Sequence, residues 1–279
     1  MTEIMKDKMA GLPEEHARFL KFALGRLRQD SRLVGVAAGG SFLTRTIDQY
    51  SDLDLVIFVE PEAYEAVSNA RLEIARSLGP LLSGFTGEHV GEPRLLICLY
   101  GPPLIHVDLK FVSLLDAARR VEDPAVLWER DGRVSTELAT GVSADYPLPD
   151  PQWIEDRFWV WVHYGAGKIA RGELFEALDL LGFLRGQVLG PLSLLKAGAR
   201  PTGVRRIEVL APDSVNDLRR TLADHDRRSC SEALVAAVAI YRALRTSLAT
   251  AHLVLRKDAE DAATKYLEEI TGATGVIKN

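Results

Sequence analysis

The stretch from Gly39 to Val59 constrains this chain more than any other. An apolar run, Arg32 to Ala38, leads into Gly39-Gly40-Ser41, and a second, Leu53 to Val59, follows behind Asp52 and Asp54. Apolar runs bounded by turn residues read as two strands, here joined by a glycine turn and a short helix. Side chains alternate along a strand, so Asp52 and Asp54 share one face while Leu53 and Leu55 point into a core. Two carboxylates about 4 Å apart repel by roughly 4 kcal/mol at an effective dielectric of about 20, so the pair must take up a proton, splay into water or share a cation. Hard oxygen donors favour magnesium, which commonly bridges protein carboxylates to a substrate's phosphates. A phosphate site is available just upstream, where backbone N–H groups of Gly39 and Gly40 and the Ser41 hydroxyl can face an anion.

Two more strand-like runs, Arg94 to Tyr100 and Leu104 to Val112, are joined by Gly101-Pro102-Pro103. In the second, His106, Asp108 and Lys110 share one face, and Ile105, Val107, Leu109 and Phe111 share the other. Asp108 is therefore a third strand acid. His106 and Lys110 also fit an ordinary solvated strand face. Helices are expected over Pro13 to Gln29, where Pro13, Glu14 and Glu15 make a good start, and over Pro61 to Leu78, stopped by Gly79-Pro80.

A Gly-Gly-Ser turn eleven positions ahead of an Asp-x-Asp strand resembles the signature of the nucleotidyltransferase superfamily that includes DNA polymerase beta. Among its branches the chain is most similar to the aminoglycoside and lincosamide nucleotidyltransferases, and the likeness extends through roughly residue 115. The resemblance implies an α/β (α+β) fold, a mixed sheet with helices behind it, and transfer of a nucleoside monophosphate from a triphosphate to an acceptor hydroxyl. It implies that Asp52, Asp54 and Asp108 are catalytic and hold Mg2+, and that Gly39, Gly40 and Ser41 cradle the triphosphate, with ATP the expected co-substrate. Asp108 or an acid of the later helices serves as general base. A small-molecule acceptor, such as an antibiotic in a resistance role, is the expected partner. Transfer to a protein or RNA, or a non-catalytic nucleotide-binding module, are the competing readings.

Composition narrows these. A net charge of −5 lacks the basic footprint of a protein that tracks a phosphate backbone, which counts against nucleic acid as the partner. With 47% hydrophobic and 26% charged residues, the 279-residue chain can bury a sizeable core. No apolar run approaches the roughly 20 residues of a membrane span, and the mixed-charge stretch Met1 to Pro13 lacks the layout of a signal peptide, so the expected location is the cytoplasm. Cys98 and Cys230 have no ligand-like partner at metal spacing, and Cys98 reads as a small core residue.

The proline-rich stretch Ala144 to Pro151 reads as a linker between a nucleotidyltransferase domain, 1–146, and a helical acceptor-binding domain, 151–279. In the second, helices are expected at about 152–170, 173–189, 213–224, 230–252 and 257–270, with Gly190-Pro191 ending or kinking the second, and a bundle beside the sheet domain leaves a cleft for ligands. Trp153, Phe158, Trp159, Trp161 and Tyr164 crowd the first of these helices, as core or as a stacking platform. Lys168 and Arg171 lie on one face near its end. They form either a basic helix terminus or, as the resemblance implies for Lys168, a contact with the triphosphate. Glu176 and Asp179 on the next helix are further candidates for the base.

Overall fold

The structure, a computed structural model, describes residues 9–140, 144, 146–248 and 252–272. Of the expectations above, most of the stretch Met1 to Pro13, Asp145 of the linker and positions 249–251 of the fourth bundle helix lie outside the described residues. The chain divides into two compact units, Met1–Tyr146 and Pro147–Asn279.

In the first unit, β1 (Leu33–Ala38) is buried at every position, which fits its unbroken apolar sequence and marks it as an interior strand. It pairs antiparallel with β2 (Leu53–Val59) on one side and β6 (Ala125–Glu129) on the other. β2 runs parallel to β5 (Ile105–Ser113), and β5, β4 (Glu92–Tyr100) and β3 (Leu81–Gly87) continue antiparallel, giving a six-stranded mixed sheet in the order β3-β4-β5-β2-β1-β6. Alternation sorts β2 into two faces. Leu53, Leu55, Ile57 and Val59 join the larger core, which includes Leu20, Ala23, Leu24 and Leu27 of α1 (Glu14–Leu27) and the buried positions of α2 (Tyr64–Asn69) and α3 (Arg71–Ser77). Phe58 and Val56 face a smaller cluster with Leu114, Ala117 and Val134, the last on α4 (Arg133–Thr140). Asp54 is on this second face, at the end the smaller cluster leaves uncovered.

The long helix expected over Pro61 to Leu78 is instead a 3-10 turn, Pro61–Ala63, followed by α2 and α3, which part at Ala70. The helix expected to open at the glycine turn is a single 3-10 turn, Gly40–Phe42.

The second unit is helical, and together the two units have the mixed-sheet-plus-helices fold that the resemblance implies. It contains α5 (Pro151–Arg171), α6 (Leu174–Leu184), α7 (Gly190–Lys196), α8 (Ile207–Leu210), α9 (Pro212–Arg219), α10 (Arg227–Ser247) and α11 (Lys257–Thr271). Asp150 caps α5 by accepting from the amides of Gln152 and Trp153, and Pro151 follows at the first helical position. Gly190-Pro191 neither ends nor breaks the helix before it. A π turn, Arg185–Leu189, carries the backbone into α7 and shifts the hydrogen-bond ladder just ahead of Pro191, which has no N–H to offer it. The segment Leu174–Lys196 is thus one helical stretch long and apolar enough to pass for a membrane span, and half of its apolar window is buried within the protein. Leu181, Leu184, Val188 and Leu189 belong to the core of this unit, the setting of a central bundle helix.

Candidate active site

Asp54 and Asp108 are direct partners in the parallel β2–β5 register. Their flanking residues Leu53, Leu55, Val107 and Leu109 are all buried on the opposite face, so the alternation that fills the core also sets the two acids side by side. Asp52 lies two residues earlier, on the same side. Ligand oxygens of Asp52, Asp54 and Asp108 all lie within 4.8 Å of one another, and all three residues are half-buried. His106 reaches Asp108, with Nε2 3.0 Å from Oδ1, and orients the carboxylate through a neighbour on its own strand face. Lys110 turns away. Its ammonium pairs with Glu92 on β4 at 2.7 Å, and Arg94 with Lys110 holds the Glu92 carboxyl down to about 2.

The glycine turn is stitched onto the same acids. The Gly39 amide donates to the Asp54 carbonyl at 2.9 Å, so that amide is spent on the fold. Gly40 has φ +57, in the left-handed region, and a Cβ placed there would overlap Asp54 Oδ2. Only glycine lets the turn lie this close to the carboxylate. The next side chain, Ser41, has a buried hydroxyl with no hydrogen-bond partner among the described residues. An unmet buried polar group is costly in a finished fold and ordinary in a site shaped for a ligand. One residue at this turn came from no sequence signal: Glu122, 82 positions away, accepts a hydrogen bond from the Gly40 amide at 2.9 Å.

Hard carboxylate oxygens from three residues, gathered beside a side-chain-free turn with an unmet hydroxyl, fit a divalent cation carrying an anionic ligand.

The helical unit places its candidates differently from a free basic helix end. The Lys168 ammonium lies 2.6 Å from Glu173 and 2.7 Å from Glu176, 4.9 Å above the Tyr164 ring, with the side chain only 12% exposed. Glu173 and then Glu176 raise the Lys168 pKa, while Lys168 and then Tyr164 hold Glu176 down to about 2. Tyr164 donates to Glu176, and Arg171 pairs with Glu173 at 2.8 Å. Lys168, Tyr164, Glu173 and Glu176 are therefore one linked group, and Asp179 is exposed beyond it. Of the aromatics, Phe158 and Trp159 are core, packed on Tyr241, whereas Trp153 lies tilted against Trp161 and remains 44% exposed. Cys98 is buried, and burial pushes its thiol up to about 12.

Comparison with protein-family models finds no match, and comparison with curated proteins finds none. Among solved structures the chain is similar to an aminoglycoside 6-adenyltransferase from Bacillus subtilis, with 19% identity over 90% of this chain and 95% of that one and a TM-score of 0.39. It is also similar to a nucleotidyltransferase-like protein from Exiguobacterium sibiricum, with 13% identity over 92% of this chain and 78% of that one and a TM-score of 0.36. Superpositions this loose assign no residue a role.

Proposed function

We propose that this chain is a nucleotidyltransferase that moves a nucleoside monophosphate from a nucleoside triphosphate to a hydroxyl of a small acceptor. The observation that carries the reading is the convergence of Asp52, Asp54 and Asp108 within 4.8 Å beside the Gly40-Ser41 turn. Asp52, Asp54 and Asp108 would hold Mg2+, which when bound neutralises phosphate charge and polarises the oxygens at the reacting phosphorus. Ser41 donates its hydroxyl hydrogen to a phosphate oxygen. Gly39 and Gly40 admit the phosphates by presenting no side chain. His106 bonds to Asp108, and in this reading Asp108 takes the acceptor's proton. Because charge in such a transfer is spread over phosphate oxygens, positioning and electrostatics do most of the work.

The resemblance also implies a triphosphate contact for Lys168, whose ammonium is held within the helical unit by Glu173 and Glu176. Its ammonium stays charged, since its two glutamate partners raise its pKa. Any anion that engages Lys168 competes with the two carboxylates already in contact with it. ATP is the expected donor, and aminoglycosides and lincosamides are the first acceptors to try.

The test is transfer of label from α-labelled ATP or GTP, with Mg2+, to a panel of hydroxylated antibiotics, with Asp54→Asn as control. A labelled, divalent-dependent product absent in the variant is the expected result. Label on a protein or RNA instead would redirect the acceptor, and label in neither class, with no turnover of nucleotide, would remove the enzyme reading.

A further inference from the structure

The contact between Glu122 and Gly40 joins two distant parts of the chain at the phosphate-binding turn. Its origin is the sheet register. β1 and β6 are antiparallel, with Ala37 opposite Val126 and Ala38 opposite Ala125. Continuing that register past the ends of both strands sets the residues before β6 beside the residues after β1, which brings Glu122 alongside the turn. The loop is braced where it does so, because Arg120 pairs with Asp123 at 2.5 Å and the Arg120 side chain is only 13% exposed. Glu122 Oε1 then lies 2.9 Å from the Gly40 nitrogen, and 2.5 Å from where a Cβ on Gly39 would stand. Gly39, without a side chain, leaves room for this carboxylate, as Gly40 does for Asp54.

A carboxylate in this place is unfavourable by ordinary electrostatics. Asp54 touches the same turn, and two more acids stand next to it. Another negative group in such surroundings raises the energy of the empty site. What the position offers in return is a backbone N–H at normal hydrogen-bond distance, the same donor that a phosphate oxygen would seek. Glu122 supplies an oxygen of the same charge sign, at the same distance, to the same hydrogen.

We infer that Glu122 is a built-in competitor for the substrate's phosphate: its carboxylate holds the Gly40 amide and must leave before a triphosphate oxygen can take that hydrogen bond. The inference rests on the nucleotide reading proposed above and adds a residue that tunes the affinity of that site. A ligand with one phosphate gains a single amide by displacing Glu122. A triphosphate carrying a divalent cation also brings the positive charge that relieves the crowded acids, so it wins the exchange where simpler anions do not. Glu122 thereby biases the site toward the metal-bound triphosphate and against free phosphate and nucleoside monophosphates.

The probe is inorganic tripolyphosphate with Mg2+, which carries the phosphates and no base, titrated into the full chain by calorimetry. Inorganic phosphate is titrated in parallel. Glu122→Ala removes the competitor, and Glu122→Gln keeps its size while removing its charge. Circular dichroism checks that each variant is folded. The expected result is tighter binding of Mg2+-tripolyphosphate, about tenfold for Glu122→Ala and less for Glu122→Gln, with measurable binding of inorganic phosphate gained in both. Wild-type binding that the variants leave equal or weaken would overturn the inference alone, since Glu122 would then be a fixed brace of the turn or a direct ligand of the nucleotide. Absence of tripolyphosphate binding in the wild type and in both variants would overturn the nucleotide reading and the inference with it. Should Glu122→Ala fail to fold, Glu122→Gln carries the same comparison.

Discussion

Gly40 and Asp54 are packed so closely that a methyl group on the first would overlap Oδ2 of the second. The turn and the acid are one construction: Gly39 donates to the Asp54 carbonyl, and Gly40, at φ +57, passes beside the Asp54 carboxylate. Gly40→Val must push Asp54 aside or open the turn. We expect nucleotide affinity to fall at least tenfold and stability to drop by about 1 kcal/mol or more, since a branched residue is strained at positive φ. Urea unfolding and nucleotide titration of the same protein check both halves. Unchanged nucleotide affinity in a folded Gly40→Val protein would remove the turn from the site.

His106 acts on Asp108 at 3.0 Å from an exposed position, so its removal should leave the fold intact. The lost hydrogen bond is worth about 0.5 to 1.5 kcal/mol, or about two- to tenfold in apparent Mn2+ affinity. His106→Ala is expected in that range, with His106→Gln recovering part of it. Equal metal affinity in all three proteins would make His106 a bystander.

In the helical unit, Lys168 holds Glu176 at about 2, below the ordinary value of 4.5, with Tyr164 assisting. A depressed carboxylate adds stability that is present above its unfolded pKa and lost as pH falls through its folded one, so this contribution is lost between 4.5 and about 2. Lys168→Met should return the Glu176 carboxyl toward its ordinary range, as followed by side-chain NMR titration. A Glu176 that titrates identically in both proteins would show that the pair does not persist in solution.

Glu155 is fully buried and central to that unit's stability. Burial pushes its carboxyl up, but bonds from the Arg256 amide, Tyr241, Trp159 and Arg245 outweigh this and leave it lowered. Arg245 also reaches Glu260 at 2.8 Å. Removing Glu155 strands donors chosen to meet a charge, and Glu155→Ala should cost about 3 kcal/mol, the lower end for a broken buried pair, because Glu260 still holds Arg245. The sign with pH follows from the lowered pKa: the contribution is whole above the ordinary value of 4.5 and drains as pH falls below it. Denaturation across that range should show a shallower acid slope in Glu155→Gln than in the wild type.

Much of this arrangement was legible because it follows from local periodicity. The alternation that buries Leu53, Leu55, Val107 and Leu109 also orients Asp54 and Asp108, and period-2 patterning reads directly from residues. What periodicity cannot supply is pairing. The parallel register that sets Asp54 opposite Asp108, and the antiparallel one that brings Glu122 to Gly40, are long-range choices made by the sheet. β3 carries little such signal, because Leu82 and Phe85 are exposed on an edge strand interrupted by Gly84 and no clean burial pattern marks it. β6 is only five residues long and half-buried at most positions. That the helix runs on through Gly190-Pro191 by way of a π turn is not marked by any residue type, because a π turn can absorb a proline that the usual ladder rejects. Lys168 was visible as a cation, whereas its pairing with Glu173 and Glu176 depends on the turn at Gly172 that folds α6 back onto α5.

The central claim is that Asp52, Asp54 and Asp108 jointly hold a divalent cation with a triphosphate. Titration of Mn2+ into the protein with and without ATP, followed by the paramagnetic signal of free Mn2+, measures this most directly. The account predicts that the wild type binds Mn2+ more tightly when ATP is present, and that Asp54→Asn and Asp108→Asn each weaken this binding about tenfold or more while remaining folded, a loss of about 1.4 kcal/mol or more. Mn2+ binding that is indifferent to ATP, or that survives undiminished in both variants, would contradict it.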